Sequence, residues 1–469
     1  MEKRISELLD RTAAKYPDKI AFATEENIFT FSRLNAEAKA IGTRLASSGY
    51  SGGAAAVLMD REPDCIAAMM GVVYGGCFYS VLDGDMPARR MMLILDTLQP
   101  HAIITDENHL EKAKEIAGDS IEVIIYKDAI AAPADQALLD KTLEDRDIND
   151  IACIFFTSGS TGVPKGVAIS HRAVIHYLNF IGSCDDYDIT DETIYANQAP
   201  IYFVMSIFEI FTTITFGCTC YIVPKKKFSF PVPLLEWLKE RHVNTLYWVP
   251  SVLCMIANFR AIPEVHLDDL KLVMFSAEVM PSKQYNMWHR EYPDVTFINI
   301  YGPTEMTDIA AYYVVNREIA DTESLPVGIA ATHMKLLVMG DDGKEVPKGE
   351  MGELCGVSVS LADGYYRDPE RTAQVFTPNP LNPSEIMYHT GDLVRIDERG
   401  DFIFMGRKDF QIKHLGNRIE LGEIETAVSS LDGVDRNCCL FDSKRDKIIL
   451  IYTGKKDGDT ICEELKDLL

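Results

Sequence analysis

The segment from Thr157 to Gly166, which reads TSGSTGVPKG, concentrates residue types that bind phosphate. A loop rich in glycine and hydroxyl groups offers backbone N–H donors, side-chain hydroxyls and one cation to a polyphosphate. It is not a Walker A loop, because Lys165 follows a proline and precedes a glycine. A plain hairpin turn would explain the glycines, but it would not require a lysine beside four hydroxyls. We therefore predict a phosphate-binding loop whose candidate residues are Thr157, Ser158, Gly159, Ser160, Thr161, Gly162 and Lys165.

The surrounding pattern predicts an α/β fold that can position this loop. Short β-branched runs such as Ala54 to Met59 and Cys153 to Thr157 alternate with longer helical patterns such as Phe31 to Ser48, which is typical of α/β layers. From Lys335 onward, short strands joined by Gly, Asp and Pro turns predict a β-rich subdomain. We expect two α/β layered subdomains and this β-rich one to form a large N-terminal body.

A second, smaller unit is predicted at the end of the chain. After the charged stretch that ends at Asp409, the residues from Phe410 to Leu431 show a strand and helix pattern typical of a small α+β unit behind a hinge. We expect residues 1–408 to form the core and residues 409–469 to form part of a mobile C-terminal domain.

Composition narrows the classes of protein that fit. The chain has 469 residues, more than one hydrophobic core usually supports. Its formal charge of −25 argues against nucleic acid as a partner, because phosphate backbones are bound through clustered Lys and Arg. The apolar run from Ile201 to Val223 contains Glu209, so we expect a buried helix followed by a buried strand and not a membrane span.

The cysteines and the first residues indicate the compartment. Eleven cysteines are scattered without a C-x-x-C pair, which favours reduced, buried thiols. The opening MEKRISELLD lacks the apolar region of a signal peptide. We expect a cytoplasmic protein.

A series of motifs in fixed order resembles the adenylate-forming superfamily, and within it the adenylation domains of nonribosomal peptide synthetases and the D-alanine–carrier protein ligases. The resemblance covers nearly the whole chain. Its motifs are FTFSRL from Phe29, YGGCFY from Tyr74, the phosphate loop, NIYGPTE from Asn299, GEL from Gly352, YHTGD from Tyr388 and the stretch from Gly406 to Glu425.

This resemblance implies ATP-dependent activation of a carboxylic acid as an acyl-AMP with release of pyrophosphate. Thioester transfer to the phosphopantetheine of a carrier protein would follow, with ATP and Mg²⁺ required. Since the substrate carboxylate itself attacks the α-phosphorus, positioning and charge neutralisation should dominate catalysis.

The resemblance also implies a role for each matching residue. Lys165, Thr304, Glu305 and Arg407 match the catalytic positions, and Glu305 is the expected Mg²⁺ ligand, a hard oxygen donor. Ala277, Asn299, Tyr301 and Asp392 match the adenosine contacts. Asp409 matches the hinge between two domain poses, and Gly416 lies on the expected path of the phosphopantetheine arm.

Two departures from the family pattern concern ligand binding. Where the family usually has Gly-Gly-Glu beside adenine, this chain has Ser276-Ala277-Glu278, and we expect binding to survive. Amino-acid-activating members carry an aspartate at the position of Val204 that pairs with the substrate α-ammonium. A valine cannot neutralise an ammonium.

The predicted acid pocket is therefore mostly apolar, and we expect a substrate without an α-amino group, such as an aryl, hydroxy, keto or acyl acid. Asp308 is the exception in this pocket. It could hold a β- or ω-amino group, or it could be a helix cap or a solvated loop residue. The expected lining residues are Phe203, Val204, Met205, Phe208, Tyr247, Val273, Phe275, Ile300, Asp308 and Ile309.

A third departure is the P-x-x-x-N-G-K segment, which would follow Leu469. Lys466 has no Gly context, so we do not assign it the role of the family's terminal lysine. We expect this apparently truncated form to bind ATP and acid with weak adenylation. An acyl- or aryl-CoA ligase and a catalytically degenerate nucleotide-binding module are the alternatives.

Overall fold

A computed structural model of the chain describes residues 2–159, 163–320, 323–409, 411–414, 417–442, 445, 447–466 and 468. The first part of the chain alternates helices and strands, as the sequence pattern predicts. In chain order its elements are α1 (Ile5–Lys15), β1 (Ile20–Ala23), β2 (Ile28–Thr30), α2 (Phe31–Ser47), β3 (Ala54–Leu58), α3 (Pro63–Tyr74), β4 (Phe78–Val81), α4 (Ala88–Leu98), β5 (Ala102–Thr105), α5 (Leu110–Ala117), β6 (Glu122–Ile125), α6 (Tyr126–Ala129), α7 (Gln136–Leu143) and β7 (Ile151–Thr157).

The same alternation continues to the middle of the chain. The elements there are β8 (Lys165–Ser170), α8 (His171–Ser183), β9 (Ile194–Asn197), α9 (Ser206–Phe216), β10 (Thr219–Ile222), a 3₁₀ helix (Lys225–Ser229), α10 (Pro231–Glu240), β11 (Thr245–Trp248), α11 (Pro250–Asn258), β12 (Leu272–Phe275), α12 (Ser282–Glu291), β13 (Thr296–Tyr301), a 3₁₀ helix (Thr304–Met306), β14 (Ala311–Val315) and β15 (Ile329–Ala330).

Strands dominate the last part of the chain. Its elements are β16 (Lys335–Met339), β17 (Met351–Val357), β18 (Gly364–Tyr365), α13 (Pro369–Val375), β19 (Phe376–Asn379), β20 (Asn382–Ile396), β21 (Phe402–Arg407), β22 (Gln411–His414), β23 (Asn417–Glu420), α14 (Leu421–Ser429), β24 (Val434–Asp442), β25 (Lys447–Gly454) and α15 (Gly458–Leu465).

Within the described residues, two large mixed sheets form the α/β body. One has the strand order β15-β14-β13-β12-β11-β9-β10-β1-β2 and is parallel from β13 to β1. The other has the order β18-β8-β7-β4-β3-β5-β6, with β7 and β8 antiparallel. A third, antiparallel sheet of β16, β17, β19, β20 and β21 is the predicted β-rich subdomain. The predicted fold class is confirmed.

Local sequence explains where two of the helices, α2 and α8, begin. The Thr30 side chain accepts a hydrogen bond from the Arg33 N–H and caps α2, and the Ser170 side chain accepts one from the Ala173 N–H and caps α8. Such caps satisfy N–H groups that have no partner inside the helix.

The apolar run from Ile201 to Val223 folds as predicted, into α9 followed by β10, with Glu209 fully buried in α9. Among the residues that the structure describes, no helix has the length and apolar composition needed to cross a membrane.

Candidate active site

The glycine-rich segment forms the connection between the antiparallel strands β7 and β8, where Thr157 pairs with Lys165. Ser160, Thr161 and Gly162 lie outside the described residues. A Cβ on Gly159 would lie 2.2 Å from the Val163 carbonyl oxygen, so this close approach requires glycine. The Thr157 Oγ1 atom is buried and has no hydrogen-bond partner in the described part of the chain. An unpaired buried hydroxyl at this place suits a phosphate oxygen as its partner.

Glu305 lies in the short 3₁₀ helix after β13, and its carboxylate is fully buried. The Tyr365 hydroxyl donates to its Oε1 at 2.8 Å, and Arg418 Nη1 donates to Oε2 at 2.9 Å and to Oε1 at 3.2 Å. Burial raises the pKa of Glu305, but Arg418, Lys165 and the Tyr365 hydrogen bond outweigh it and bring the pKa to about 2. The Glu305 carboxylate is therefore ionised and is stabilised by a cation beside it. An ionised carboxylate of this kind is a suitable Mg²⁺ ligand.

Lys165 begins β8 and points toward the same carboxylate. Its Nζ atom lies 3.9 Å from Glu305 Oε1 and 3.9 Å from Glu420 Oε1. Burial lowers the pKa of Lys165 to about 8; the Arg418 cation acts in the same direction, and the two glutamates oppose it. The predicted pair of Lys165 and Glu305 is thus brought together by β8 and the 3₁₀ helix after β13, which are far apart in sequence.

The loop that carries Glu305 is folded tightly at Gly302. A Cβ there would lie 1.6 Å from the carbonyl oxygen of Asp308, so the YGPTE segment requires glycine at this position. Thr304, the predicted neighbour of the α-phosphate, is buried beside Glu305. Asn299 donates from Nδ2 to the Pro326 carbonyl at 2.7 Å, which fixes its side chain at the end of β13.

The predicted ribose carboxylate Asp392 is buried between two other predicted site residues. The Tyr301 hydroxyl donates to Asp392 Oδ2, and Arg407 Nη1 donates to Asp392 Oδ1. Arg407 also holds Asp409 through two hydrogen bonds of 2.6 and 2.7 Å. The predicted hinge residue Asp409 therefore contacts Arg407, which also binds the predicted ribose carboxylate Asp392.

The Ser276-Ala277-Glu278 segment keeps the backbone shape that a glycine would favour. Ala277 has φ +73°, in the left-handed region. Glu278 Oε2 accepts a hydrogen bond of 2.8 Å from the Ser251 N–H in the first turn of α11. This glutamate thus stabilises a helix start.

The predicted acid pocket is closed over by aromatic side chains. Asp308 is 1% exposed and accepts hydrogen bonds from the Tyr177 hydroxyl at 2.9 Å and the Tyr247 hydroxyl at 3.1 Å. Burial raises the pKa of Asp308 to about 7, although both hydrogen bonds oppose the increase. Asp308 is neither a helix cap nor a solvated loop residue, so those two interpretations were wrong.

Other predicted pocket residues share this region. Phe208 packs edge to face on Tyr247 with ring centroids 5.1 Å apart. Met205, Ile300 and Ile309 belong to the same buried cluster, and Val204 packs against it. Phe203 is half-buried and its ring contacts that of Tyr202.

Val273 and Phe275 were wrongly placed in this pocket. Side chains alternate between the two faces of a strand, and both residues pack on the opposite face from Tyr247, in the core that contains Trp248. Met274 pairs with Tyr247 and faces the same cluster as Ile300. Burial raises the pKa of Tyr247 well above its usual value. A hydrogen bond with Ser276 opposes this increase, so Ser276 lies beside Tyr247. Met274 and Ser276 are therefore the candidates for these two positions.

Sequence reasoning missed the residues that the C-terminal unit contributes. The hairpin of β22 and β23 lies against the predicted nucleotide-binding residues, where the Ser158 hydroxyl donates to the Arg418 carbonyl at 2.7 Å. The Lys413 ammonium lies 5.4 Å from the ring centroid of Tyr301. The sequence did contain a signal for Arg418, because this cation lies inside the stretch from Gly406 to Glu425 that matches the family motif. Gly416 lies outside the described residues.

A surface groove of about 1120 Å³ lies between α8 and β17 and is lined by His176, His333 and their neighbours. The predicted acid-pocket residues do not line it. The predicted acid-pocket residues are therefore separate from this groove.

A buried carboxylate with a lysine and an arginine, a phosphate-type loop and a buried cluster around Asp308 fit the site of an adenylate-forming enzyme. The sequence model of the AMP-binding enzyme family matches residues 9–366. The chain belongs to this family and is an adenylate-forming ligase that uses ATP.

Named relatives agree with this assignment. An L-proline–[L-prolyl-carrier protein] ligase of Streptomyces coelicolor is 31% identical over 463 residues, covering 94% of this chain and 85% of the relative. Tyrocidine synthase 1 of Brevibacillus parabrevis is 27% identical over 427 residues, covering 91% of this chain but 38% of that protein. An artificially fused adenylation–PCP di-domain from Klebsiella oxytoca superposes with TM-score 0.85 at 20% identity, covering 99% of this chain and 91% of the other. The predicted resemblance is confirmed.

Proposed function

We propose that this protein activates a carboxylic acid lacking an α-amino group as its acyl-AMP and then transfers the acyl group to the phosphopantetheine thiol of a carrier protein. The observation that carries the proposal is that Lys165 lies beside Glu305, while Arg407 binds Asp392, which accepts from Tyr301 four positions before Glu305. The carrier-protein ligase among the relatives supports the acceptor. We place the protein in the cytoplasm.

In the first half-reaction an oxygen of the acid attacks the α-phosphorus of ATP, and pyrophosphate leaves. Lys165 and the hydroxyls of Thr157 and Ser158 would hold the phosphates, and Thr304 and Arg407 would stabilise charge at the α-phosphate. Asp392 would accept the ribose hydroxyls. Charge neutralisation of this kind lowers the barrier most where water is excluded.

Glu305 would hold Mg²⁺ once Arg418 has moved away. Its carboxylate is ionised and buried, so the donor fits a hard divalent cation. When bound, Mg²⁺ supplies positive charge to the ATP phosphates. Arg418 takes that place in the present conformation, so we assign this conformation to the state after pyrophosphate has left.

In the second half-reaction the pantetheine sulfur attacks the acyl carbon, the bond to AMP breaks and the thiol proton is lost to solvent. Gly416 would lie on the path of the arm, and the hinge at Asp409 would join the two poses of the unit 409–469. The contact of Asp409 with Arg407 supports this role.

The lining of the acid pocket supports the substrate class. Val204 offers no charge to an α-ammonium, and the carboxylate of Asp308 is already satisfied by two tyrosine hydroxyls. A β- or ω-amino acid is the second candidate, because Asp308 is a buried carboxylate that an amine could reach in place of a tyrosine hydroxyl.

ATP–pyrophosphate exchange with a panel of acids tests the proposal. The panel contains aryl, hydroxy, keto and acyl acids, β- and ω-amino acids, and α-amino acids including L-proline, the substrate that the name of the Streptomyces relative gives. We expect exchange with an acid that has no α-amino group. A preference for any α-amino acid contradicts the proposal, and exchange with a β- or ω-amino acid that Asp308→Asn abolishes establishes the second candidate.

Val204→Asp provides a matched test of the same pocket. It should introduce activity toward α-amino acids and weaken activity toward the native acid. Comparison of pantetheine with CoA as acceptor then distinguishes the alternatives, because a CoA ligase should prefer CoA strongly and a carrier-protein ligase should not. A chain that binds ATP but exchanges with no acid would be a degenerate nucleotide-binding module.

A further inference from the structure

Glu353, Cys355 and His389 form a compact group of side chains outside the proposed reaction. The group lies on the antiparallel pair of β17 and β20, where Cys355 is directly opposite His389. Glu353 precedes Cys355 by two residues and so shares its face of the sheet. One ligand atom from each of the three residues lies within 4.8 Å of the others.

Two of the three separations match those of ligands around one metal ion. His389 Nδ1 lies 3.4 Å from Cys355 Sγ and 3.4 Å from Glu353 Oε2. A tetrahedral zinc ion with its usual bond lengths holds such atoms roughly 3.3–3.6 Å apart. An ordinary N–H···O hydrogen bond is shorter, about 2.9–3.0 Å, so the imidazole and the carboxylate are not held as a close hydrogen-bonded pair.

The histidine has the partner that a metal ligand requires. His389 Nε2 lies 3.0 Å from Thr377 Oγ1. When Nε2–H donates to this hydroxyl, the lone pair of Nδ1 faces the cysteine and the glutamate. Metal-binding histidines are oriented in this way by a hydrogen bond to the second ring nitrogen.

The remaining contacts leave the group accessible to a cation. The side chains of His389 and Glu353 are 28% and 13% exposed while Cys355 is fully buried, so solvent can fill a fourth position from the side of His389 and Glu353. The Lys408 ammonium lies 3.4 Å from Glu353 Oε2 but is closer to Asp341, at 2.9 Å. Lys408 thus keeps a carboxylate partner when Glu353 turns to a metal.

We propose that Glu353, Cys355 and His389 bind one transition-metal ion of the Zn²⁺ class, with solvent as the fourth ligand. Cysteine and histidine select such a metal over Mg²⁺ or Ca²⁺. Binding releases the Cys355 thiol proton to solvent, and nothing is oxidised or reduced. The site lies beside the hinge, because Glu353 Oε1 accepts from the Gly391 N–H and Lys408 precedes Asp409.

Cobalt titration of the full chain tests the site without an assay of catalysis. We expect one Co²⁺ per chain to produce a thiolate-to-cobalt charge-transfer band in the near ultraviolet, and Zn²⁺ to abolish the band by competition. Cys355→Ser should remove the band. Cys438→Ser and Cys462→Ser, which change exposed cysteines, are the matched controls and should keep it.

Two further variants keep the test decisive if Cys355→Ser misfolds. Glu353→Gln preserves an acceptor for the Gly391 N–H but removes the anionic ligand, and Thr377→Val removes the partner of His389. Each should weaken Co²⁺ binding, the second by roughly 10- to 100-fold. A wild-type chain with no charge-transfer band, or a band that survives in Cys355→Ser and disappears in Cys438→Ser, would overturn the proposal.

Discussion

Asp308 illustrates how burial sets the chemistry of a single side chain. Its folded pKa of about 7 lies above the value of about 4 expected in the unfolded chain. The folded state therefore binds the proton more tightly, and the contribution of Asp308 to stability decreases as the pH rises from about 4 to 7.

Asp308→Asn should remove this pH dependence. An amide has no ionisation penalty, so the free energy of unfolding should rise at pH 8, by on the order of 2 kcal/mol, and change little at pH 4. Denaturant unfolding of both proteins at the two pH values measures the difference. The exposed Asp294→Asn is the control, and an equal effect of Asp308→Asn at both pH values would contradict the argument.

Ala277 is a second residue whose local conformation predicts a measurable effect. Its φ of +73° is unfavourable for an L-residue with a side chain. Ala277→Gly should therefore stabilise the protein by about 1 kcal/mol. Ala46→Gly, near the end of α2, should have the opposite sign and similar size. Denaturant unfolding measures the free energy of unfolding of both variants. If Ala277→Gly destabilises the protein, the backbone of Ala277 is not strained.

At the scale of single residues, the sequence predicted which residue types form the site better than it predicted where each side chain lies. Lys165, Glu305 and Asp392 were recognised because their motifs are specific, and the structure brings Lys165 to Glu305. Val273 and Phe275 were misplaced because successive side chains of a strand alternate between its two faces. The sequence shows this alternation but does not show which face points toward the pocket. Only the pairing with β11 shows that Met274 shares the face of Tyr247.

At the scale of elements, the β22–β23 hairpin completes the site. The pattern after residue 409 predicted a strand and a helix, and the structure has this hairpin followed by α14. Local periodicity could not predict that Arg418 contacts Glu305, since 113 positions separate them. Such contacts depend on how elements pack and not on local propensity.

Arg418→Ala should separate the two half-reactions. We expect pyrophosphate exchange to remain within a few-fold of wild type, because Mg²⁺ and Arg418 cannot occupy Glu305 together. Thioester formation should slow roughly 10- to 100-fold, equivalent to about 1.4–2.8 kcal/mol, because the buried carboxylate then loses its closer cation and keeps the more distant Lys165, at 3.9 Å. Single-turnover assays of each step, with the activated acid and pantetheine, measure the two effects.

Arg436→Ala, which changes an exposed arginine on β24, is the control for the loss of an arginine from the C-terminal unit. A variant Arg418→Ala that loses exchange and thioester formation equally would show that Arg418 acts in both poses.

At the scale of the whole molecule, the N-terminal body and the C-terminal unit also meet at an ion pair away from Glu305 and Lys165. Arg90 in α4 donates to Glu423 in α14 at 2.7 Å, and both side chains are largely buried, at 17% and 6% exposure. The length and layer pattern of the sequence predicted a large body and a small unit. The pair could not be predicted, because it joins elements 333 positions apart.

Arg90→Glu should destabilise the present conformation, since it places two carboxylates together in a partly desolvated contact. We expect thioester formation to slow by roughly tenfold, a cost of about 1.4 kcal/mol, while pyrophosphate exchange is preserved. The charge exchange Arg90→Glu with Glu423→Arg should restore thioester formation to within a few-fold of wild type. Arg33→Glu, which breaks a more exposed pair with Glu37 inside α2, is the matched control and should leave both steps intact. Failure of the double variant to recover, with both single variants folded, would mean that this ion pair does not hold the two units in the thioester-forming pose.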